Sequence, residues 1–120
     1  MLIIKKLLTK ILKALILYES GSWSYVKLGK LFIGTYSSTA TFTITAQTGP
    51  IYQSTASGAI DLPETMNNLY SSVAVKTANY TVWSAITEYG ASRISYRVLS
   101  AGARASASYN IKAITIGKLQ

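Results

Sequence analysis

The 120-residue chain contains neither cysteine nor histidine. Without cysteine there are no disulfides and no thiolate metal sites. Without histidine, catalytic triads, imidazole proton shuttles and most zinc sites are excluded. Acidic residues are almost as scarce. Glu19, Asp61, Glu64 and Glu88 are the whole supply, too few and too scattered for paired-carboxylate chemistry or an oxygen-rich calcium site. No apolar run approaches the roughly 20 residues that a membrane-spanning helix needs. The apolar N-terminal stretch is cut by Lys5, Lys6, Lys10 and Lys13 before it forms the uninterrupted core of a secretory signal. These absences lead us to expect a protein with no catalytic centre, cofactor or metal, made in the cytoplasm and not exported.

What is present is a folded chain. Apolar residues make up 49% and charged residues only 13%, a balance that excludes disorder. The net charge of +8 is unevenly placed, because four lysines and no acid lie in the first 17 residues. The remaining positive charge is too thin for a nucleic-acid footprint, which gathers lysine and arginine on one face.

Residues 1–18 lack glycine and proline, and apolar residues recur in alternating steps of three and four at Met1, Ile4, Leu8, Ile11, Leu15 and Tyr18. That heptad spacing predicts an amphipathic helix, with leucine and isoleucine on the seam and Leu7 and Leu12 widening it, a pattern that favours three or more strands over two. A helix this short is marginal alone. Packing on its own domain and lying on a membrane surface are the competing readings, the latter because lysine alternates with leucine and isoleucine. At Glu19-Ser20-Gly21-Ser22 a glycine and small polar residues predict the helix stop and a joint, dividing the chain into an oligomerisation helix over 1–20 and a head over 21–120.

Beyond the joint the apolar period becomes two. Phe42, Ile44 and Ala46 share one face of 41–46, with threonines on the other. Ile94, Tyr96 and Val98 alternate with Arg93, Ser95 and Arg97, and Tyr109, Ile111 and Ala113 with Asn110, Lys112 and Ile114. Val73 and Val75 alternate with Ser72, Ala74 and Lys76, and further strands are expected over Trp23–Leu28, 30–36 and 80–87. With breakers at Gly29, Gly49-Pro50, Gly58, Pro63, Gly90 and Gly102, seven or eight short antiparallel strands predict an all-β, sandwich or jelly-roll-like head. Serine and threonine, roughly a quarter of the chain, keep such strand faces soluble without charge. Three heads about one axis would cover their apolar flanks and hold the helices at high effective concentration, so a homotrimer is expected.

The segment Gly21-Ser22-Trp23-Ser24-Tyr25-Val26-Lys27-Leu28-Gly29, with Gly34-Thr35-Tyr36 after it, resembles the opening of small tail-fibre and receptor-binding modules of phages that infect Gram-positive bacteria. Ile111-Lys112-Ala113-Ile114-Thr115-Ile116-Gly117-Lys118-Leu119 is similar to their closing strand, and the N-terminal helix to the short apolar leader in front of them. Leu31-Phe32-Ile33 stands where the family carries a polar residue and a Trp, and the closing strand lacks the family's aromatic. The resemblance implies a trimeric virion protein, assembled with other virion proteins, whose β-heads bind host cell-wall polysaccharide or teichoic acid.

Sugar rings stack on flat aromatic faces, while polar tips and neighbouring amides fix their hydroxyls. Nine tyrosines against two phenylalanines favour that chemistry, and Tyr52, Tyr80, Trp83 and Tyr89 are the candidates. Trp23 and Tyr25 share a strand face and are expected to pack at the helix–head junction. Arg93 and Arg97, four apart on one strand face, lie about 13 Å from each other and suit successive phosphates of a teichoic-acid polymer. Their alternative role is charge on a solvated edge strand that refuses further pairing.

Overall fold

The computed structural model describes residues 2–14, 16–76 and 81–120, the side chains of 11–14 excepted. Among these residues a helix, α1 (Leu2–Ala14), precedes nine strands: β1 (Leu17–Ser20), β2 (Trp23–Leu28), β3 (Leu31–Thr48), β4 (Ile51–Ser54), β5 (Gly58–Asp61), β6 (Met66–Lys76), β7 (Val82–Tyr89), β8 (Arg93–Ser100) and β9 (Arg104–Leu119). The expectation of an all-β, antiparallel head behind a short helix holds. The strands are fewer turns apart than expected only in places: β3 is one strand of 18 residues that joins the two expected over 30–36 and 41–46, and β9 runs for 16.

Every pairing is antiparallel, and the nine strands form one continuous sheet. The path β6-β9-β3-β4-β8-β7 curls until its two ends meet. There β6 and β7 are tied by side chain to backbone: Ser84 donates to the Val73 carbonyl and the Tyr89 hydroxyl to the Ser71 carbonyl at 2.7 Å. β1 and β2 extend the sheet beyond β3, while β5 lines β8.

The first three hairpins share one device. Gly21-Ser22, Gly29-Lys30 and Gly49-Pro50 are two-residue loops whose glycines hold φ of 58°, 60° and 59°. A positive φ at the first loop position is what a II′ turn demands, and its twist matches that of the flanking strands. This corrects the expected helix stop at Gly21. Residues 17–20 leave the helix and pair with 23–26, so Tyr18 is a strand residue rather than the last residue of a helical seam. Its ring stacks on Tyr25 at 5.2 Å, with the Lys27 ammonium 4.6 Å from its centroid.

The core lies inside the curl. Ile94, Tyr96 and Val98 from β8 and Tyr109, Ile111 and Ala113 from β9 are buried, the faces that the alternation predicts. Phe32 and Ile44 from β3 are completely buried, and each such side chain contributes about 2–3 kcal/mol by leaving water. Trp23 and Tyr25 pack onto Phe32 at 6.0 and 5.1 Å. The Trp23 indole N–H donates to the Asp61 carbonyl at 2.8 Å, which anchors β2 to the end of β5. Buried hydroxyls are paired: Ser54 accepts from the Val98 N–H, and Thr115 hydrogen-bonds Ser71.

The described side chains of α1 take no part in this core. Every side chain of Leu2–Lys10 is exposed, among them Ile4 and Leu8 of the expected seam. The side chain of Ile11, and Met1 and Leu15 entirely, lie outside the described residues. No helix among the described residues is long and apolar enough to cross a membrane.

Candidate functional site

The candidate residues sit on different parts of the surface. β7 alternates with Val82 buried and Trp83 40% exposed, so Trp83 points away from the core. It faces Leu99 across the β7–β8 ladder, two pairs along from the Ala85–Arg97 pair, which sets Trp83 and Arg97 diagonally about 7 Å apart. Gln53 of β4 flanks Leu99 on its other side. The outward surface of β4, β8 and β7 is thus an indole and a leucine bordered by a carboxamide and a guanidinium. That is a flat apolar shelf with polar groups at its margin, the chemistry that suits a sugar ring.

The other candidates fall elsewhere. Tyr52 pairs with Ser100, a buried residue, and packs half-buried against the core. Tyr89 leaves Trp83's side of the sheet because a bulge between Ile86 and Glu88 shifts the register by one residue. It turns towards β6, where its hydroxyl reaches Ser71. Tyr80 lies outside the described residues.

Arg93 and Arg97 share the outward face of β8 as the spacing requires, but β8 is not an edge. β7 pairs along one side of it, and β4 and β5 line the other. The edge-strand alternative therefore fails. Both guanidiniums have partners within the chain. The Arg93 Nε donates to Asp61 Oδ1 at 2.8 Å in an exposed ion pair, and Arg97 donates to the Ser54 carbonyl. An exposed pair of this sort is worth less than about 1 kcal/mol, so Arg93 can exchange Asp61 for an incoming anion at little cost.

A second charged cluster joins β2 to the loop before β6. The Lys27 ammonium lies 3.1 Å from both Glu64 carboxylate oxygens, only one of which, Oε1, is aligned as a hydrogen-bond acceptor. The bond to Glu64 holds Lys27 above its ordinary value. Burial, with Glu64 nearby, raises the Tyr25 hydroxyl. The pair is only about a quarter exposed and backs onto the Tyr18–Tyr25 stack, which makes it a clamp on the hairpin. Among the described residues no group of three or more acidic residues is placed to hold a metal ion.

The sequence reading passed over Leu99 and Gln53, whose neighbourhood to Trp83 depends on strand register. It also passed over a row of exposed apolar residues on the outward faces of β6 and β9. Tyr70 is 73% exposed, Ile114 55% and Ile116 48%. The signal was within reach, since the period of β9 already set Ile114 on the face opposite Tyr109, Ile111 and Ala113. Comparison with protein-family models, with curated proteins and with solved structures gave no match.

Proposed function

We propose that the protein is a non-catalytic virion component of a phage, the head of a homotrimeric fibre or spike that binds carbohydrate on the host surface during adsorption. The observation that carries this reading is α1. A basic amphipathic helix whose apolar residues Ile4, Leu7 and Leu8 remain more than half exposed is built to be covered by something other than its own head. Three parallel copies cover one another. On this reading the curled sheet serves as a compact sandwich-like head, and the helix as the stem that aligns three of them.

Two further observations support it. The opening and closing segments that resemble the phage modules are hydrogen-bonded neighbours: β2 and β3 form a hairpin, and Phe32, Gly34 and Tyr36 pair with Gly117, Thr115 and Ala113. The shelf around Trp83 also offers the stacking surface that a glycan uses. Cell-wall polysaccharide is the favoured ligand, with teichoic-acid phosphate engaging Arg93 and Arg97 as the variant of this reading.

The test has two parts. The intact chain should show a native mass three times its 13.0 kDa. It should also sediment with purified Gram-positive cell walls, and Trp83→Ala should cut that binding at least fivefold, the loss of about 1 kcal/mol of stacking. If Trp83→Ala binds normally while Arg93→Ala combined with Arg97→Ala does not, the ligand is the phosphate polymer. A monomer that binds and disrupts anionic vesicles through residues 1–18 refutes the reading in favour of a membrane-active helix on a β-carrier.

A further inference from the structure

The sheet formed by β1, β2, β3, β9 and β6 has an outward face whose pattern is inverted at one end. Strand pairing aligns Leu17 with Val26, Val26 with Ile33, Ile33 with Ile116, and Ile116 with Tyr70. This is an unbroken apolar row across all five strands, and four of its members are 42–73% exposed. The next row towards the β2–β3 turn adds Leu28 and Leu31, both exposed, and turns polar at Lys118 and Asn68 on β9 and β6. On the other side of the row Ile114 stands between Thr35 and Ser72. Further along, the same face becomes polar, with Ser37, Lys112 and Ala74 in one row and Thr39, Asn110 and Lys76 in the next. Hollows of about 260 and 200 Å³ flank the Tyr70–Ile116 ridge, so the apolar end has the relief of a packing surface.

We propose that this apolar end of the face is an interface between copies of the chain, lying on the axis that α1 continues. The proposal rests on the self-association of α1 argued above and goes beyond it by naming where the heads meet. Continuity is the first argument. Only residues 15 and 16 separate the end of α1 from Leu17, the first member of the row, a span of at most about 11 Å. Helices bundled in parallel lie about 8–10 Å apart, so their copies of Leu17 are drawn to the axis and the rows follow.

Area is the second argument. Five strands about 4.8 Å apart and three rows about 7 Å apart give a patch of about 400 Å². One side of a 13-residue helix, about 20 Å long and 10 Å wide, adds about 200 Å². Polar positions such as Thr35, Ser72 and Lys118 included, the sum is about 600 Å², three quarters of the roughly 800 Å² that each partner gives to a stable interface. Neither surface alone reaches it.

Charge is the third argument. Glu19 is on the β1 side of the face, two residues along from Leu17, whereas Lys118 and Lys112 are on the β9 side. In a cyclic arrangement the β1 side of one copy meets the β9–β6 side of the next, which brings a carboxylate to an ammonium.

The experiment measures the native mass of the full-length chain by light scattering, with Ile33→Glu and Ile116→Glu as variants and Thr39→Glu, at the polar end of the face, as control. Both isoleucines are already about half exposed, so circular dichroism should match the parent. The expected result is an oligomeric parent and control, with each apolar-end variant dissociating at least a hundredfold more readily, since a carboxylate buried against an apolar partner goes unpaired. An oligomer that survives both variants overturns the interface while leaving the helix-driven assembly intact. A monomeric parent overturns both, and a monomer whose binding to phosphatidylglycerol vesicles is lost in Ile33→Glu reassigns the face to a membrane.

Discussion

Gly58 opens β5 directly opposite Tyr96 of β8, and the tyrosine ring lies across its backbone. A Cβ added at Gly58 would stand 2.2 Å from the ring Cζ and 2.6 Å from both Cε atoms. Ordinary contact begins at 3.4 Å, so Gly58→Ala requires the ring to retreat by more than an ångström. It has nowhere to go. Tyr96 is 2% exposed, and its other neighbour, the Phe42 ring, is 5.8 Å away edge-on and itself buried. Overpacking a core typically costs about 1–3 kcal/mol. Three ring atoms inside the contact limit put this substitution at the top of that range, near 3 kcal/mol. For a chain of this size that lowers the melting temperature by about 12 °C. The φ of Gly58 is not positive, so alanine carries no backbone penalty and the clash is the whole effect. Thermal melts followed by circular dichroism, with Tyr96→Leu as the second arm of a double-mutant cycle, provide the test. Adding Gly58→Ala to Tyr96→Leu should cost far less than adding it to the parent. If Gly58→Ala melts within 2 °C of the parent, or if the two costs simply add, the close approach is not what fixes glycine here.

Burial, reinforced by Tyr36, pushes the Tyr96 hydroxyl up to about 12 from an ordinary value of 10.0. The fold favours the neutral phenol, so this contribution to stability is complete below pH 10 and is lost as pH rises from 10 to 12, by about 3 kcal/mol. Urea denaturation at pH 8 and pH 11.5 should show the loss, and Tyr96→Phe should abolish that part of it; an identical decline in the variant would refute the assignment. Trp23→Phe removes the hydrogen bond to the Asp61 carbonyl and leaves a cavity beside Phe32. The urea midpoint should fall by the equivalent of about 2 kcal/mol, and an unchanged midpoint would show that the indole N–H contributes nothing.

The inward faces of β8 and β9 were legible because period-two alternation is a local property, and Ile94, Tyr96, Val98, Tyr109, Ile111 and Ala113 obey it without exception. The breakers at Gly29 and Gly49-Pro50 were legible for the same reason. Gly21 was not, because a glycine after an apolar run serves equally as a helix stop and as the first residue of a II′ turn. What decides between them is the pairing of 17–20 with 23–26, and Tyr18 changes from a helical seam residue to a ring stacked on Tyr25 as a consequence. The polar stretch Ser37-Ser38-Thr39 reads as a gap between strands, yet all three residues pair with β9. The ladder supplies their backbone hydrogen bonds, and the pattern of their side chains does not record it. The bulge that separates Tyr89 from Trp83 is equally silent in the sequence. The candidate site was therefore legible residue by residue but not as a constellation.

A period of two tells which residues share a face and leaves open which face meets water. In most half-buried strands charge settles the matter. This chain has little charge to spend, so serine and threonine take that role on β3, β6 and β9, and an isoleucine among them carries information. Ile33, Ile114 and Ile116 stand where their own strands place Ser37, Thr39, Lys112 and Asn110 further along. They cluster at the end of the face that the helix enters, rather than scattering along it. A 13-residue helix gains too little from its own backbone to persist alone, and a patch of about 400 Å² is at the scale single chains tolerate. Joined within a few residues, each raises the effective concentration of the other's partner. In the proposed assembly the two apolar surfaces would act as one thermodynamic unit, and losing either should release both.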